Sequence, residues 1–240
     1  MTEMARLVRR YKDLSGEEHI GQLAYRALDK ALVYATAPIK KQTYAKDTFS
    51  YRGQKMNYAV YSYNATWRNE RAIEVPIMLD FIREFQNQRI LEVGNVSRYY
   101  GDFKHDVIDK YENSDDIMNI DIMDCNPENP YDAFLAISTF EHIGWDEPTK
   151  EPEKILAAVK HVYKLVNNKD NVLISCPLGY NDALDDYIRN NEFPFQDLRF
   201  LRRKNQGNQW VETSKDEALS CKYGSTYPAA NSIFVGRGLK

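Results

Sequence analysis

The stretch that decides the fold is residues 89–101, R-I-L-E-V-G-N-V-S-R-Y-Y-G. It starts with a short apolar run that ends in an acid, and Gly94 stands where a buried parallel strand would turn into a loop or helix. Glycine permits positive φ and lets the backbone approach a ligand closely. Because ligands of open α/β sheets lie beyond the carboxyl ends of the strands, the stretch indicates a nucleotide-type cofactor site. A strand-to-glycine turn is common in α/β proteins, so the prediction depends on the motifs around it.

Strands and helices alternate on both sides of this stretch. Further strands are predicted at 105–111, 117–123, 133–139 and 171–176, and helices at 76–85, 152–166 and 182–190. The tail, with R-F-L-R-R, Q-W-V-E-T and S-I-F-V-G, has the pattern of antiparallel strands. The order predicts an α/β fold with a mostly parallel sheet and an antiparallel edge near the C-terminus.

The segment before residue 63 has a different pattern. Helices are predicted at 3–13 and 17–37, the second after the capping box of residues 15–18, with Pro38 and a Lys-Lys pair ending it. Its apolar face predicts docking on the main domain or a homodimer partner rather than on a membrane; the face consists of Ile20, Leu23, Ala24, Ala27, Leu28, Ala31 and Leu32.

Residues 48–63 alternate aromatic and polar side chains around a glycine turn, which predicts a hairpin. Its tyrosines, Tyr63 among them, would either form the floor of a substrate pocket or pack on the core. The next residues, Y-N-A-T-W-R-N-E-R at 63–71, are dense in polar groups. Arg68 and Arg71 are one helical turn apart, so they would together bind a carboxylate or phosphate, or form surface ion pairs with Glu70 or Glu74.

Composition and charge limit the partners, the location and the metal sites that the sequence supports. The chain has 240 residues, a formal net charge of −3 and interspersed acids and bases, which does not support nucleic acid as a partner. It has no apolar run of the roughly 18–20 residues that a membrane span needs and no signal-like block, which predicts a cytoplasmic protein. Three widely spaced cysteines and four histidines favour reduced thiols and no metal site.

The predicted strand ends carry an ordered series of polar residues, and five motifs together resemble the class I S-adenosylmethionine-dependent methyltransferases. The similarity is greatest to a prokaryotic group associated with glycan modification. The motifs are Y-N-A-T-W-R-N-E-R, R-I-L-E-V-G-N-V, H-D-V-I-D-K-Y, D-A-F-L-A-I-S-T-F-E-H-I-G-W-D and L-I-S-C-P-L-G-Y-N. The resemblance implies a Rossmann-like, mostly parallel seven-stranded sheet with helices on both faces, in a domain at 64–240. Residues 1–63 would form a lid or interface.

The resemblance also implies a cofactor, S-adenosylmethionine. Its methionine part would lie against Gly94 and Asn95, and Glu92 would organise the loop. Asp109 would accept hydrogen bonds from the ribose hydroxyls, and Ser138 would lie at the same edge of the sheet. Asp121 would take the adenine amino group and the Ile122 amide would face the ring. The interval of fifteen residues between Gly94 and Asp109 is shorter than the usual interval of about 20. An ion pair for Asp109 and a turn cap for Asp121 are the structural alternatives.

For the reaction, His142 is the candidate base because neutral imidazole can take a proton near pH 7. Glu141 would orient it or contact the cofactor, and Trp67 and Tyr180 would join Tyr63, Arg68 and Arg71 at the substrate. His142 could instead only pack below the methionine site. Lacking an Asn-Pro-Pro-Tyr-type motif, the chain is predicted to methylate a hydroxyl or carboxylate of a sugar, glycan precursor or small metabolite. A non-catalytic scaffold and a nicotinamide-dependent oxidoreductase are the alternatives, although the sequence lacks the G-x-G-x-x-G of the latter.

Overall fold

A seven-stranded sheet forms the centre of the protein. The computed structural model describes the backbone of residues 20–240 and the side chains of residues 28–240, so the predicted helix at 3–13 and the capping box lie outside the described residues. The sheet has the order β4-β3-β5-β6-β9-β7-β8. Its strands are β3 (Ile90–Val93), β4 (Asp106–Ile108), β5 (Ala133–Ile137), β6 (Val172–Pro177), β7 (Phe195–Arg203), β8 (Trp210–Thr213) and β9 (Ser232–Leu239).

The directions of the strands confirm the predicted Rossmann-like sheet with an antiparallel edge. β4, β3, β5 and β6 are parallel neighbours. β9 is antiparallel to β6 and to β7, so β7 runs with the parallel set. β8 then pairs antiparallel with β7 at the edge. The carboxyl ends of β3, β4, β5 and β6 therefore meet at one edge of the sheet, where ligands of this architecture bind.

Helices cover both faces of the sheet, as predicted. They are α1 (Ile20–Gln42), α2 (Arg71–Glu84), α3 (Lys154–Leu165), α4 (Asp182–Arg189) and the short α5 (Lys215–Leu219). Alternate residues of β5 belong to different cores: Ala133, Leu135 and Ile137 pack with α1 and α2, whereas Phe134 and Ala136 pack with α3, α4 and α5. A strand buried on both faces must be apolar throughout, which is why β5 was visible in the sequence.

The predicted third strand at 117–123 is wrong in length. Only Met118 pairs with the sheet, through one parallel bridge to Ile108. The Asn119 side chain donates to the carbonyls of Asp109, Lys110 and Glu112. A 3-10 turn at Ile122–Asp124 follows. These local side-chain bonds to the backbone compete with strand pairing, so the segment forms a loop at the edge of the sheet.

Helix α1 differs from its prediction in two ways. It continues through Pro38 to Gln42 instead of ending there. In the part whose side chains are described, Leu28 and Leu32 of the predicted docking face are 66% and 53% exposed. Val33 and Ala37 are buried against the domain instead. Among residues 20–240, no helix is long and apolar enough to cross a membrane.

Helix α2 begins earlier than the sequence indicated. Of the two roles predicted for Pro76, starting or kinking the helix, the first is wrong, because Pro76 lies within it. Because proline has no amide hydrogen, the carbonyl of Ala72 one turn earlier lacks its helical donor. The Ala59 amide donates to that carbonyl at 2.9 Å. This bond joins α2 to the segment that follows the hairpin. It can form because the proline leaves the Ala72 carbonyl without a helical donor.

The predicted hairpin is confirmed as β1 (Thr48–Tyr51) and β2 (Gln54–Asn57). Phe49, Tyr51 and Tyr58 pack on the core, the second of the two alternatives. Tyr61 and Tyr63, which follow the hairpin, instead contact Tyr100 and Tyr99. The Tyr44 hydroxyl donates to the Asn208 carbonyl at 2.5 Å, and the Trp210 amide donates to the Tyr58 hydroxyl at 2.7 Å. The rings of Tyr44 and Tyr58 stack at 4.6 Å. The segment before α2 is therefore bonded to the β7–β8 turn, far along the chain.

Candidate functional site

Glu92 organises the loop that follows β3. Its carboxylate is fully buried and accepts from the amides of Val96 and Ser97 at 3.0 and 2.8 Å. It also accepts from the Ser97 hydroxyl and lies 2.7 Å from His105 Nε2. A buried carboxylate needs such partners to offset its desolvation. Glu92 therefore supports the loop 94–97 through the backbone amides of its second half.

Gly94 is required where the loop begins. Its φ is +81°, and a Cβ there would lie 2.2 Å from Thr139 Oγ1. The backbone of the loop therefore packs directly on the segment after β5. Next to it, the buried Asn95 Oδ1 has no hydrogen-bond partner among the described residues. An acceptor left open in a buried cradle is an available contact for a ligand that carries a donor.

Asp109 follows β4 and faces the same loop. Its Oδ1 accepts from the amides of Tyr111 and Glu112, both at 2.9 Å. Its Oδ2 accepts from the Asn95 amide at 3.2 Å, so the residue links the ends of β3 and β4. A carboxylate has about four acceptor positions. Oδ2 therefore keeps one position for a further donor.

Asp121 lies in a cluster of opposite charges. It caps the 3-10 turn by accepting from the Met123 amide at 3.0 Å. Its Oδ2 lies 3.0 Å from Lys110 Nζ and 2.9 Å from Lys154 Nζ, and both lysines also pair with Glu147. These bonds outweigh partial burial and lower the pKa of Asp121 to about 2. The neighbouring Ile122 side chain is buried in the core.

Three buried acids and the partly buried Arg71, which we call the carboxylate cluster, lie between α2 and the ends of β5 and β6; the acids are Glu70, Glu74 and Glu141. Glu74 pairs with Arg71 and accepts from the hydroxyls of Ser138 and Ser175 at 2.8 and 2.7 Å. Ser138 has a left-handed φ of 41°. This conformation is costly for a residue with a side chain, and the bond to Glu74 helps to maintain it.

The predicted pairing of Arg68 and Arg71 on one helical face is wrong. Arg68 ends a 3-10 turn and pairs with Asp29 of α1 at 2.8 Å, whereas Arg71 begins α2 and is paired with Glu74 inside the protein. The extended backbone of Asn69 separates the two turns. Trp67 is 6% exposed and belongs to the apolar core, so its indole does not face an open site.

His142 lies on the 3-10 turn after β5 and is 45% exposed. Its Nδ1 is 2.5 Å from Asp146 Oδ2. Tyr180, which follows β6, donates from its hydroxyl to the same Asp146 oxygen at 2.6 Å, and its ring meets the imidazole edge-on at 5.1 Å. With Nδ1 bonded to a carboxylate, Nε2 is the nitrogen that can accept a proton.

Glu141 lies beneath His142 and is 1% exposed. Its Oε1 is 3.5 Å from His142 Nε2, while the Asp146 carboxylate holds the other ring nitrogen. The residue that orients the imidazole is thus Asp146, which the sequence analysis did not assign. Burial, together with the nearby Glu74, raises the pKa of Glu141 to about 8.

Tyrosine rings form one wall beside the Gly94 loop. Tyr63 stacks on Tyr99 at 4.2 Å with nearly parallel planes. Tyr100 meets the rings of Tyr61 and Tyr63 edge-on at 5.0 and 5.8 Å. The Tyr100 hydroxyl is buried without a hydrogen-bond partner in the described part of the chain. Burial, with the nearby carboxylates of Glu74 and Glu70 acting in the same direction, raises its pKa to about 12.

The opposite wall comes from the C-terminal part of the chain. Gly179 has a φ of +74°, and a Cβ there would lie within 2.8 Å of the backbone of Cys221 and Lys222. This close approach brings Tyr223 against Tyr180, with ring centroids 5.1 Å apart. Asp185 supports the same turn by accepting from the Gly179 amide at 2.8 Å. No periodicity in the sequence indicates that residues 221–223 return to this site.

The buried Asp185 carboxyl should make the free energy of unfolding depend on pH. Burial raises its pKa from 3.8 to about 6. A carboxyl with a raised folded-state pKa favours the folded state below pH 3.8, and this contribution is lost as the pH rises to about 6. Asp185→Asn should therefore increase the free energy of unfolding by about 2 kcal/mol at pH 8 and change it little at pH 4. Urea unfolding at both pH values measures the difference in free energy of unfolding between the variant and the wild type. The variant Asp186→Asn, at an exposed position, is the control. A difference that does not change with pH would contradict the raised pKa of Asp185.

Comparison with known proteins gives structural similarity only. No family model and no curated protein matches the chain. Among solved structures, the chain is similar to a SAM-dependent methyltransferase from Thermotoga maritima that is described as a possible histamine N-methyltransferase. The identity is 12% over 67% of this chain and 89% of that chain, and the TM-score is 0.39. The plantazolicin methyltransferase BpumL in complex with a triazolic desmethylPZN analog and SAH is similar at 12% identity, over 68% of this chain and 82% of that chain, with a TM-score of 0.37.

A tRNA (m1A58) methyltransferase from Aquifex aeolicus is similar at 12% identity, over 81% of this chain and 90% of that chain, with a TM-score of 0.36. These likenesses concern the fold alone. The order and directions of the strands in this chain are those of a Rossmann-like, mostly parallel sheet with an antiparallel edge.

Proposed function

We propose that the protein transfers a methyl group from S-adenosylmethionine to a hydroxyl oxygen of a small molecule. The observation that carries the proposal is the pairing of His142 with Asp146 at 2.5 Å, at the same edge of the sheet as the Gly94 loop. A hydroxyl must lose its proton when its oxygen is methylated, whereas a carboxylate is already ionised at neutral pH. An oriented imidazole therefore favours a hydroxyl acceptor over a carboxylate acceptor.

The residues around the Gly94 loop fit the cofactor chemically. The open Asn95 Oδ1 suits the ammonium group of the methionine part, and the remaining acceptor position on Asp109 Oδ2 suits one ribose hydroxyl. Asp121 would take the adenine amino group at its Oδ1, because its Oδ2 is held by the two lysines. When bound, S-adenosylmethionine supplies a methyl group activated by a sulfonium.

In this proposal the side chains of this chain bind, orient and deprotonate the acceptor. Asp146 holds Nδ1 of His142, so that Nε2 accepts the proton of the acceptor hydroxyl. Tyr180 restrains Asp146 through its 2.6 Å bond. The tyrosine wall of Tyr63 and Tyr100 would exclude water from the reacting atoms, which strengthens the electrostatic contacts inside.

The acceptor that we propose is a sugar, a glycan precursor or another small metabolite. The glycan preference comes from the motif resemblance, and fold alone does not determine a substrate. The N-terminal segment up to residue 63 is proposed as a lid or a homodimer interface, and a cytoplasmic location agrees with the reduced cysteines.

Calorimetric titration with SAH, the demethylated form of the cofactor, tests the proposal. We expect micromolar binding, and Asp109→Ala should weaken it at least tenfold, which is about 1.4 kcal/mol. The reason is that the variant loses both the ribose acceptor and the bond to the Asn95 amide that shapes the loop.

The exposed Asp115→Ala is the matched control and should bind SAH like the wild type. A wild-type protein that binds neither SAH nor S-adenosylmethionine would refute the proposed function and favour the scaffold alternative. Hydride-dependent absorbance changes with a nicotinamide cofactor would favour the oxidoreductase.

A further inference from the structure

A cavity of about 730 Å³ lies between the C-terminal half of α2 and the amino ends of β3 and β4. Four side chains make part of its lining apolar: Leu79, Ile82, Ile90 and Phe103. The volume falls within the roughly 300–1,000 Å³ that is usual for small-molecule sites. The Gly94 loop follows β3 at the opposite edge of the sheet, so the proposed function does not use this space.

The charged part of the lining favours an anion. Three cations and two carboxylates contribute to it, which leaves one net positive charge: Arg83, Arg89, Lys104, Asp102 and Asp106. Both carboxylates already have partners, because Asp102 pairs with Lys104 and Asp106 accepts from the Tyr131 hydroxyl at 2.9 Å. Among the described residues, the Arg89 guanidinium bonds to main-chain carbonyls. A negatively charged ligand would therefore be attracted to this cavity.

Two of the cations are held only by surface ion pairs. Arg83 pairs with Asp80 within α2, and both side chains are more than half exposed. The side chains of the Lys104–Asp102 pair are both 85% exposed. Exposed pairs of this kind contribute about 0–1 kcal/mol. Either cation can therefore exchange its present partner for a ligand anion at little cost.

His105 also lines the cavity, although its side chain is only 6% exposed. Its ring lies 5.9 Å from that of Phe103. Its Nε2 is 2.7 Å from Glu92 Oε2 and 3.3 Å from Ser97 Oγ. Among residues 28–240, the hydrogen bonds of the ring all use Nε2. Nδ1 is therefore a buried polar atom that is left for a ligand.

The same histidine joins the cavity to the Gly94 loop. Successive residues of β3 face opposite sides of the sheet; Ile90 packs with α2, whereas Leu91 packs with α3. Glu92 is two residues after Ile90, so it lies on the cavity's side. Its carboxylate contacts His105 and accepts from two amides of the loop. A ligand at Nδ1 would thus be two side-chain contacts from that loop.

We propose that this cavity binds a small organic anion, and that its occupancy raises the affinity of the Gly94 loop for the cofactor. The anion bonds to Arg83, Lys104 and the protonated Nδ1 of His105, while its apolar body covers the apolar lining. Nε2 of the now cationic ring donates to Glu92 in a charge-assisted hydrogen bond, which is stronger than the bond from a neutral ring. The effect on the cofactor rests on the proposed function; the anion site does not.

NMR titration of the full chain with phenyl phosphate, benzoate and inorganic phosphate tests the anion site, and benzyl alcohol is the uncharged comparison. We expect at least one organic anion to bind with a Kd below about 5 mM, and at least tenfold more tightly than benzyl alcohol. Tighter binding of phenyl phosphate than of benzoate would identify a phosphate site, and the reverse a carboxylate site. The double variant Arg83→Gln/Lys104→Gln should weaken the binding at least tenfold.

The matched control is Arg189→Gln/Lys55→Gln, which should bind the anions like the wild type. Arg189 pairs with Asp186 three residues earlier, as Arg83 does with Asp80, and is 52% exposed; Lys55 is an exposed lysine of β2. The inference would be overturned by the lack of any organic anion that binds below about 5 mM, by equal binding of benzyl alcohol, or by full binding in Arg83→Gln/Lys104→Gln.

Calorimetric titration with SAH, with and without a saturating amount of the tightest anion, tests the coupling. The anion should raise the affinity for SAH at least fivefold, towards the lower end of usual coupling between sites. It should have no such effect in Arg83→Gln/Lys104→Gln. An SAH affinity that stays the same with the anion bound would overturn the coupling. Failure of SAH to bind under either condition would instead refute the proposed function, and the anion titrations would still decide whether the cavity is a site.

Discussion

Replacing His142 with asparagine is expected to lower kcat for methyl transfer by about 10²- to 10⁴-fold, the usual contribution of a general base. Asparagine keeps the polarity of the side chain and removes the nitrogen that takes the proton. The affinity for SAH should change by less than about threefold, because in our proposal His142 acts on the acceptor. SAH formation with the acceptor found by screening measures kcat, and calorimetry measures the affinity.

Two neighbouring variants separate catalysis from packing. Asp146→Asn should lower kcat by roughly tenfold to hundredfold, because the carboxylate that fixes Nδ1 is lost. Tyr180→Phe should have the smaller effect, since it removes one bond to Asp146. If His142→Asn keeps more than a third of the wild-type kcat, the imidazole is only a packing group and the proposed mechanism is wrong.

Replacing Glu92 with alanine should destabilise the protein by about 3–5 kcal/mol, because each buried donor that loses its acceptor costs about 1–3 kcal/mol. The amides of Val96 and Ser97, the Ser97 hydroxyl and His105 would all lose a partner inside the protein. Because this loop would form the cofactor site, SAH binding should be lost with the loop conformation. Urea unfolding measures the first effect and calorimetry the second.

Glu84→Ala is the matched control for Glu92→Ala. Glu84 pairs with Arg237, but its side chain is 48% exposed, and exposed pairs contribute about 0–1 kcal/mol. Glu92→Gln should have an intermediate effect, because an amide oxygen can still accept from the loop. A loss below about 1 kcal/mol for Glu92→Ala would mean that the loop keeps its conformation without the carboxylate.

The central strands could be predicted because they are buried on both faces. β3, β5 and β6 are apolar almost throughout, and α3 buries five residues at helical spacing. The third strand could not be predicted correctly, because Met118 and Ile120 are exposed and Asn119 bonds to carbonyls nearby. Apolar residues indicate a strand only where a neighbouring element covers them.

Only those site residues that lie at or soon after the end of a predicted strand could be predicted from the sequence. Glu92 lies near the end of β3, Gly94 follows that strand directly and His142 is on the turn after β5, so the chain order alone puts them at one edge. Glu70 and Glu74 at the start of α2, Tyr100 after the Gly94 loop, and Tyr223 reach the site from three segments, and no spacing in the sequence relates these segments to one another. Asp146 was the exception, since it is four residues after His142. The spacing was visible, but a single turn, in which the Asp146 amide donates to the His142 carbonyl, and not a regular helix brings the two together.

The bonds that join Tyr44 to Asn208 and Tyr58 to Trp210 have a consequence during synthesis on the ribosome. The partners are 164 and 152 residues apart, and at about 5–20 residues per second the later partner emerges roughly 8–30 s after the earlier one. During that interval the buried aromatic side chains around the hairpin lack their final cover. The nascent chain is therefore expected to depend on chaperones until β7 and β8 leave the exit tunnel.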